Sequence, residues 1–167
     1  MDNNSILEKI KNKFADAIVE TVEFRGELTV VIKKEKLVEI CKFLRDDSDL
    51  KFDHLADVSG VDFLERLPRF DISYHMYSIP KNHRLRIKIK VNENEAIPTV
   101  TPVWSTANWH EREIFDMFGL KFDGHPDLRR ILMADDWVGH PLRKDYPLGY
   151  EEVQFTFNKD RPPELIK

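Results

Sequence analysis

At 167 residues, 41% hydrophobic and 11% aromatic, the chain is long and apolar enough to bury one core, which excludes a natively disordered polypeptide. Its formal net charge of −4 argues against a nucleic-acid binder, whose footprint is strongly basic. A single cysteine, Cys41, makes no internal disulfide and holds no iron–sulfur cluster or structural zinc by itself, in keeping with a reducing compartment.

Residues 1–16 interleave Lys9, Lys11 and Lys13 with Asp2, Glu8 and Asp16 and contain no apolar signal core, so no secretory peptide is expected. The same stretch predicts a helix over 4–16, with Ile6, Leu7, Ile10 and Phe14 on one side. Around Gly26 a hairpin is expected. Val22 and Phe24 alternate with Thr21, Glu23 and Arg25, then Leu28, Val30 and Ile32 with Glu27, Thr29 and Val31. A second helix, 35–45, gathers Leu37, Ile40, Cys41 and Leu44. Strands follow at 54–63, 70–79 and 84–91. In the last, Leu85, Ile87, Ile89 and Val91 alternate with Arg84, Arg86, Lys88 and Lys90, predicting one buried face and one wet, basic face. The order α-β-β-α-β-β-β predicts an α+β fold, a two-layer α/β sandwich.

Beyond residue 95 the character changes. All three tryptophans, four of the six glycines and most of the nine prolines lie there. The longest stretch without Asp, Glu, Lys or Arg runs from Ala96 to His110 and is broken by Pro98 and Pro102, too short to cross a bilayer. The chain is expected to be soluble, or at most peripheral to a membrane. Helical spacing survives from Thr106 to Phe118. There Ala107, Glu111, Ile114 and Phe118 share one face, and Trp109, Arg112, Glu113 and Asp116 the other. Glu111 inside an apolar stripe is expected to be a buried carboxylate bonded to backbone amides or to Arg129, Arg130 or Arg143.

Residues 125–147, HPDLRRILMADDWVGHPLRKDYP, are the densest stretch in special side chains. His110, His125, His140, Asp127, Asp135 and Asp136 form a pool of ligand types, but their spacing fits no compact metal motif. Scattered glycines give no nucleotide loop. Asp57-Val58-Ser59-Gly60 reads as turn chemistry at a strand end rather than a nucleophile elbow. The basic stripe at 84–90 lacks aromatics for stacking bases. Arginine, tryptophan and proline in an irregular segment point instead to an interaction surface, an extended clamp preordered for docking. A clamp of this kind is expected to make few contacts with its own core, leaving Trp137, Tyr146 and Tyr150 exposed and residues 150–167 loosest.

Three runs carry a family resemblance: ERE..DMFG (Glu111 to Gly119), FDGHPDLRRILM (Phe122 to Met133) and DDWVGHPLRKDYP (Asp135 to Pro147). Together they resemble the signature of the 30 kDa subunit (the C subunit of the bacterial enzyme) of proton-pumping NADH:quinone oxidoreductase, respiratory complex I. The resemblance implies a peripheral-arm subunit that is part of an enzyme yet performs no catalysis alone and carries no cofactor. Iron–sulfur clusters, FMN and quinone would belong to partner subunits, and electrons would pass from NADH to quinone coupled to proton translocation. Its partners would be the forty-nine-kilodalton subunit that shapes the quinone site and the neighbouring cluster-bearing subunit, on the cytoplasmic side of the bacterial inner membrane. The organisation implied is an α+β domain over 1–95, a linker and helix completing it over 96–120, and an extended partner-binding segment over 121–167. The motif residues assigned to partner binding are Glu111, Arg112, Glu113, Asp116, His125, Pro126, Asp127, Arg129, Arg130, Asp135, Trp137, Gly139, His140, Pro141, Arg143, Lys144, Asp145 and Tyr146. The alternatives are the equivalent subunit of a ferredoxin-dependent or hydrogenase complex, and a small metal-dependent enzyme using Asp135, Asp136 and His140.

Overall fold

Asp2 accepts a hydrogen bond from the Ser5 amide (3.1 Å) and so starts the first helix, α1 (Asn3–Phe14), in a computed structural model that describes residues 2–147. Ile6, Ile10 and Phe14 form its buried face, and a 3-10 turn at Ala15–Ala17 leads into the sheet. Strands β1 (Ile18–Phe24) and β2 (Glu27–Ile32) make the expected hairpin. Both turn residues have positive φ, Arg25 at 52° and Gly26 at 79°, the twist-matching arrangement of a two-residue type I′ turn. β1 begins earlier than its alternation suggests because antiparallel pairing reaches back to Ile18, opposite Ile32.

Helix α2 (Leu37–Asp46) follows a 3-10 turn and buries Leu37, Ile40, Cys41 and Leu44. Three long strands come next: β3 (His54–Asp62), β4 (Phe70–Ser78) and β5 (His83–Val91). The sheet order is β1-β2-β5-β4-β3, antiparallel except where β5 returns alongside β2 in parallel. Period-two alternation then sorts the faces. Tyr74 lies opposite both Val58 and Ile87, and Ile72 opposite Gly60 and Ile89, on the side where α1 and α2 complete one core. Each fully buried Leu or Ile in that core contributes about 1.5–3 kcal/mol.

The other face of β5 carries the basic stripe, as expected, but its charges are answered across the strands. Arg86 binds Glu27 (2.8 Å), Lys88 reaches Asp71 (3.3 Å), Lys90 reaches Glu20 (3.5 Å), and Arg84 lies over the Tyr77 ring. The Asp57–Gly60 stretch is not a turn; it lies inside β3. Gly60 is there because a Cβ would sit 2.9 Å from the Phe118 ring, so its absence lets the next helix approach the sheet. That helix, α3 (Ala107–Phe118), packs against β3. Two short strands that no periodicity announced, β6 (Ile97–Pro98) and β7 (Phe122–Asp123), pair in parallel across its base.

Candidate protein-docking site

Helix α3 carries two fully buried carboxylates, one on each flank. On the first flank Glu111 accepts hydrogen bonds from the Val100 amide (2.8 Å) and the Thr99 hydroxyl. Burial pushes its carboxyl up to about 7, against the pull of those two donors. The backbone-amide half of the expectation holds; the arginine half does not. Arg129 pairs with Asp127 (2.8 Å), Arg130 with Asp116 (2.5 Å) and Arg143 with Glu93 (2.7 Å). The neighbour Glu111 does have is His125, whose Nε2 lies 4.0 Å away and bonds to the Asn108 carbonyl (3.2 Å). Because His125 Nδ1 accepts from the Asp127 amide (3.1 Å), the hydrogen-bond network assigns the proton to Nε2.

The second flank differs from the sequence reading, which put Asp116 on a charged outer face. Asp116 is buried, and its Oδ2 accepts from the amides of Ile131 (3.0 Å), Leu132 (2.8 Å) and Met133 (2.8 Å). Burial raises its carboxyl, but three amides and Arg130 outweigh that and hold it at about 2. Arg130 then donates to the carbonyls of Trp137 (2.9 Å) and Gly139 (3.0 Å), while Arg112 donates to those of Arg129 (3.1 Å) and Arg130 (3.0 Å). His140 donates from Nδ1 to the Asp116 carbonyl (2.9 Å), and the Leu142 amide to the Met117 carbonyl (3.1 Å). Gly119 ends the helix at φ 76°, where a Cβ would meet the His140 ring at 2.6 Å. Gly139 leaves the same room for the ring of Tyr146, whose hydroxyl donates to the Val138 carbonyl (3.3 Å).

At its far end the segment meets the sheet. Arg69, on the loop entering β4, binds Asp62 and Asp145, and the Lys144 amide donates to Asp62 (2.9 Å). Residues 125–147 form no regular element, as a clamp would, but they are fastened to their own domain along their length. The expected scarcity of internal contacts is therefore wrong. The reason lies in Asp116 and Asp62, which were not read as buried acceptors of the segment's backbone.

The side chains that this backbone carries tell a second story. Leu132 (62%), Trp137 (40%), Val138 (85%) and Leu142 (55%) stand exposed, and Trp109 on α3 is 59% exposed. Glu113, Pro126, Asp127, Arg129, Asp135 and Lys144 are also on the surface, with Pro141 and Tyr146 half-buried. Beside Leu142 a cleft of about 240 Å³ opens between Val58–Gly60 of β3 and Glu113, Ile114 and Met117 of α3. Asp135 and Asp136 face solvent, and His140 is engaged with the Asp116 carbonyl; no group of three metal-ligating side chains is gathered among the described residues. Tyr150 and residues 150–167 lie outside the described residues. Asp62, Arg69, Glu93 and Thr99 escaped sequence reasoning because the partners that give them these roles lie between 7 and 82 residues away and no local period marks them.

The family described as the respiratory-chain NADH dehydrogenase 30 kDa subunit matches residues 30–152. A protein of Roseiflexus sp. (strain RS-1), named as the C subunit of NADH-quinone oxidoreductase, is 51% identical over 162 residues, covering 96% of this chain and 93% of the relative. One of the same name from Geotalea uraniireducens (strain Rf4) is 55% identical over 148 residues, with 88% and 89% covered. A solved structure of a trypsin-resistant fragment of Nqo5 superposes with a TM-score of 0.66 at 32% identity, covering 77% of this chain and all of the fragment.

Proposed function

The chain belongs to the family of the 30 kDa subunit of respiratory-chain NADH dehydrogenase, and we propose that it serves there as a docking subunit without chemistry of its own. Segment 125–147 would lie against the quinone-site subunit, close to the cluster-bearing one. FMN, iron–sulfur clusters and quinone would then belong to the partners, which pass electrons from NADH to quinone and couple the reaction to proton translocation. This chain would hold the quinone-reducing module together on the cytoplasmic side of the membrane. No helix among the described residues is long and apolar enough to cross a membrane.

One observation carries this reading. Leu132, Trp137, Val138 and Leu142 are turned to solvent on a backbone fixed from beneath by Asp116, Arg130 and Asp62. An irregular segment whose backbone bonds are directed inward and whose large apolar groups face outward suits a surface that another protein covers. The cleft beside Leu142 would take an apolar side chain of that partner. The names of the relatives favour an NADH donor over ferredoxin or hydrogen.

The test is Val138→Asp. Val138 is 85% exposed, so the free chain should unfold at nearly the same temperature. A buried unpaired charge in the interface should instead cost several kcal/mol of binding. Co-purification of the quinone-site subunit and quinone reductase activity should fall together. Normal assembly of the variant would remove the docking reading.

A further inference from the structure

The side chain of Arg69 is 9% exposed and every one of its five N–H donors is used. Nε and Nη2 donate to Asp62 Oδ1 (2.8 Å) and Oδ2 (2.7 Å). Nη2 and Nη1 donate to Asp145 Oδ1 (2.8 Å) and Oδ2 (3.0 Å), and Nη1 also reaches Glu93 Oε2 (3.2 Å). One guanidinium therefore grips two carboxylates in bidentate fashion, on opposite sides of its fork. The two grips are unequal. Asp62, at the end of β3, is 1% exposed, whereas Asp145, 76 residues further along the chain than Arg69, is 46% exposed.

From this asymmetry we infer that Arg69 is a positioning residue for docking, holding loop 142–146 through Asp145 in the shape that the partner protein takes up. The inference rests on the docking reading above and deepens it. The Asp62–Arg69 pair joins the ends of β3 and β4 and is complete without the loop. The loop, in contrast, has no regular structure. It is held at Leu142 by the Met117 carbonyl, at Arg143 by Glu93, at Lys144 by Asp62 and at Asp145 by Arg69. Releasing the last hold leaves the sheet intact and lets the loop, with the half-exposed Leu142, sample other shapes. A binding-competent shape populated at one tenth weakens apparent affinity about tenfold, and the loss falls on the association rate. A residue that touches the partner directly shows its loss mainly in dissociation.

The experiment compares the full chain with its Asp145→Asn and Arg69→Lys variants, using hydrogen exchange of the free chain and binding kinetics on the purified quinone-site subunit. Expected for Asp145→Asn are an unchanged unfolding temperature, faster exchange of the Lys144 amide, and association slowed about tenfold at unchanged dissociation. Arg69→Lys, a buried change, should slow association in the same way; where it does not fold, Asp145→Asn decides. Faster dissociation at unchanged association would make Asp145 a direct contact and overturn the inference. Unchanged Lys144 exchange, or unchanged association, would also overturn it. If the unaltered chain does not bind the quinone-site subunit, the docking reading fails on its own. Uptake of the same variants into the host oxidoreductase then decides, slower uptake supporting the positioning role and equal uptake overturning it.

Discussion

Replacing Asp116 with Asn keeps the shape of the side chain and removes its charge, which isolates what the carboxylate does for segment 125–147. The remaining oxygen can still accept the amides of Ile131, Leu132 and Met133, but the new NH2 group must face the Arg130 guanidinium, donor against donor. Two routes give the size. A carboxyl held at about 2 instead of 3.8 corresponds to about 2 kcal/mol of preference for the ionised form. Breaking a buried ion pair by removing one partner costs about 3–5 kcal/mol. The loss should therefore be about 2–4 kcal/mol, concentrated in the segment. Hydrogen exchange reads it directly: if the amides of 131–133 exchange by local opening, their protection should fall roughly 30- to 1000-fold, at about 1.36 kcal/mol per decade. Because the folded-state pKa is depressed, the unaltered chain keeps this stabilisation above pH 3.8 and loses it as pH falls toward 2, whereas the variant has none to lose. Unchanged protection at 131–133, with unfolding unmoved, would refute the idea that Asp116 anchors the segment.

Glu111 works in the opposite sense. Its folded-state pKa is raised to about 7 from 4.5, so its burial penalty is absent below pH 4.5 and grows as pH rises through 7. Glu111→Gln should therefore gain about 2–3 kcal/mol relative to the unaltered chain between pH 5 and pH 8, read by urea unfolding at both; a constant difference would contradict the assignment. Replacing Arg84 and Lys90 with Ser, on the wet face of β5, should change stability by no more than about 1 kcal/mol in thermal unfolding. A larger loss would mean that this face is buried.

The fold was legible wherever burial imposes a local period. Leu85, Ile87, Ile89 and Val91 announced β5 and its buried face, and Leu37, Ile40, Cys41 and Leu44 announced α2. Pairing between elements was not legible in that way: β5 lies in parallel with β2, with α2, β3 and β4 intervening in the chain, and β6 with β7 are strands too short for any period. Segment 125–147 stands out in the sequence by its composition and family resemblance, while the groups that hold it to its own domain do not. Glu111 was found because an acid interrupts an apolar stripe. Asp116 shares its helix face with Trp109, Arg112 and Glu113, so nothing local distinguishes a buried carboxylate from a solvated one there. Arg69 owes its role to Asp145, far along the chain, and only folding brings them together.

Side-chain footprinting of this chain, free and within the assembled oxidoreductase, tests the docking account most directly. Leu132, Trp137, Val138 and Leu142 are exposed in the free chain, so hydroxyl radicals should label them there. The account predicts strong protection of these four on assembly, with residues on the wet face of β5 serving as the comparison. Equal labelling of the four in both states, with protection elsewhere on the chain, would contradict it.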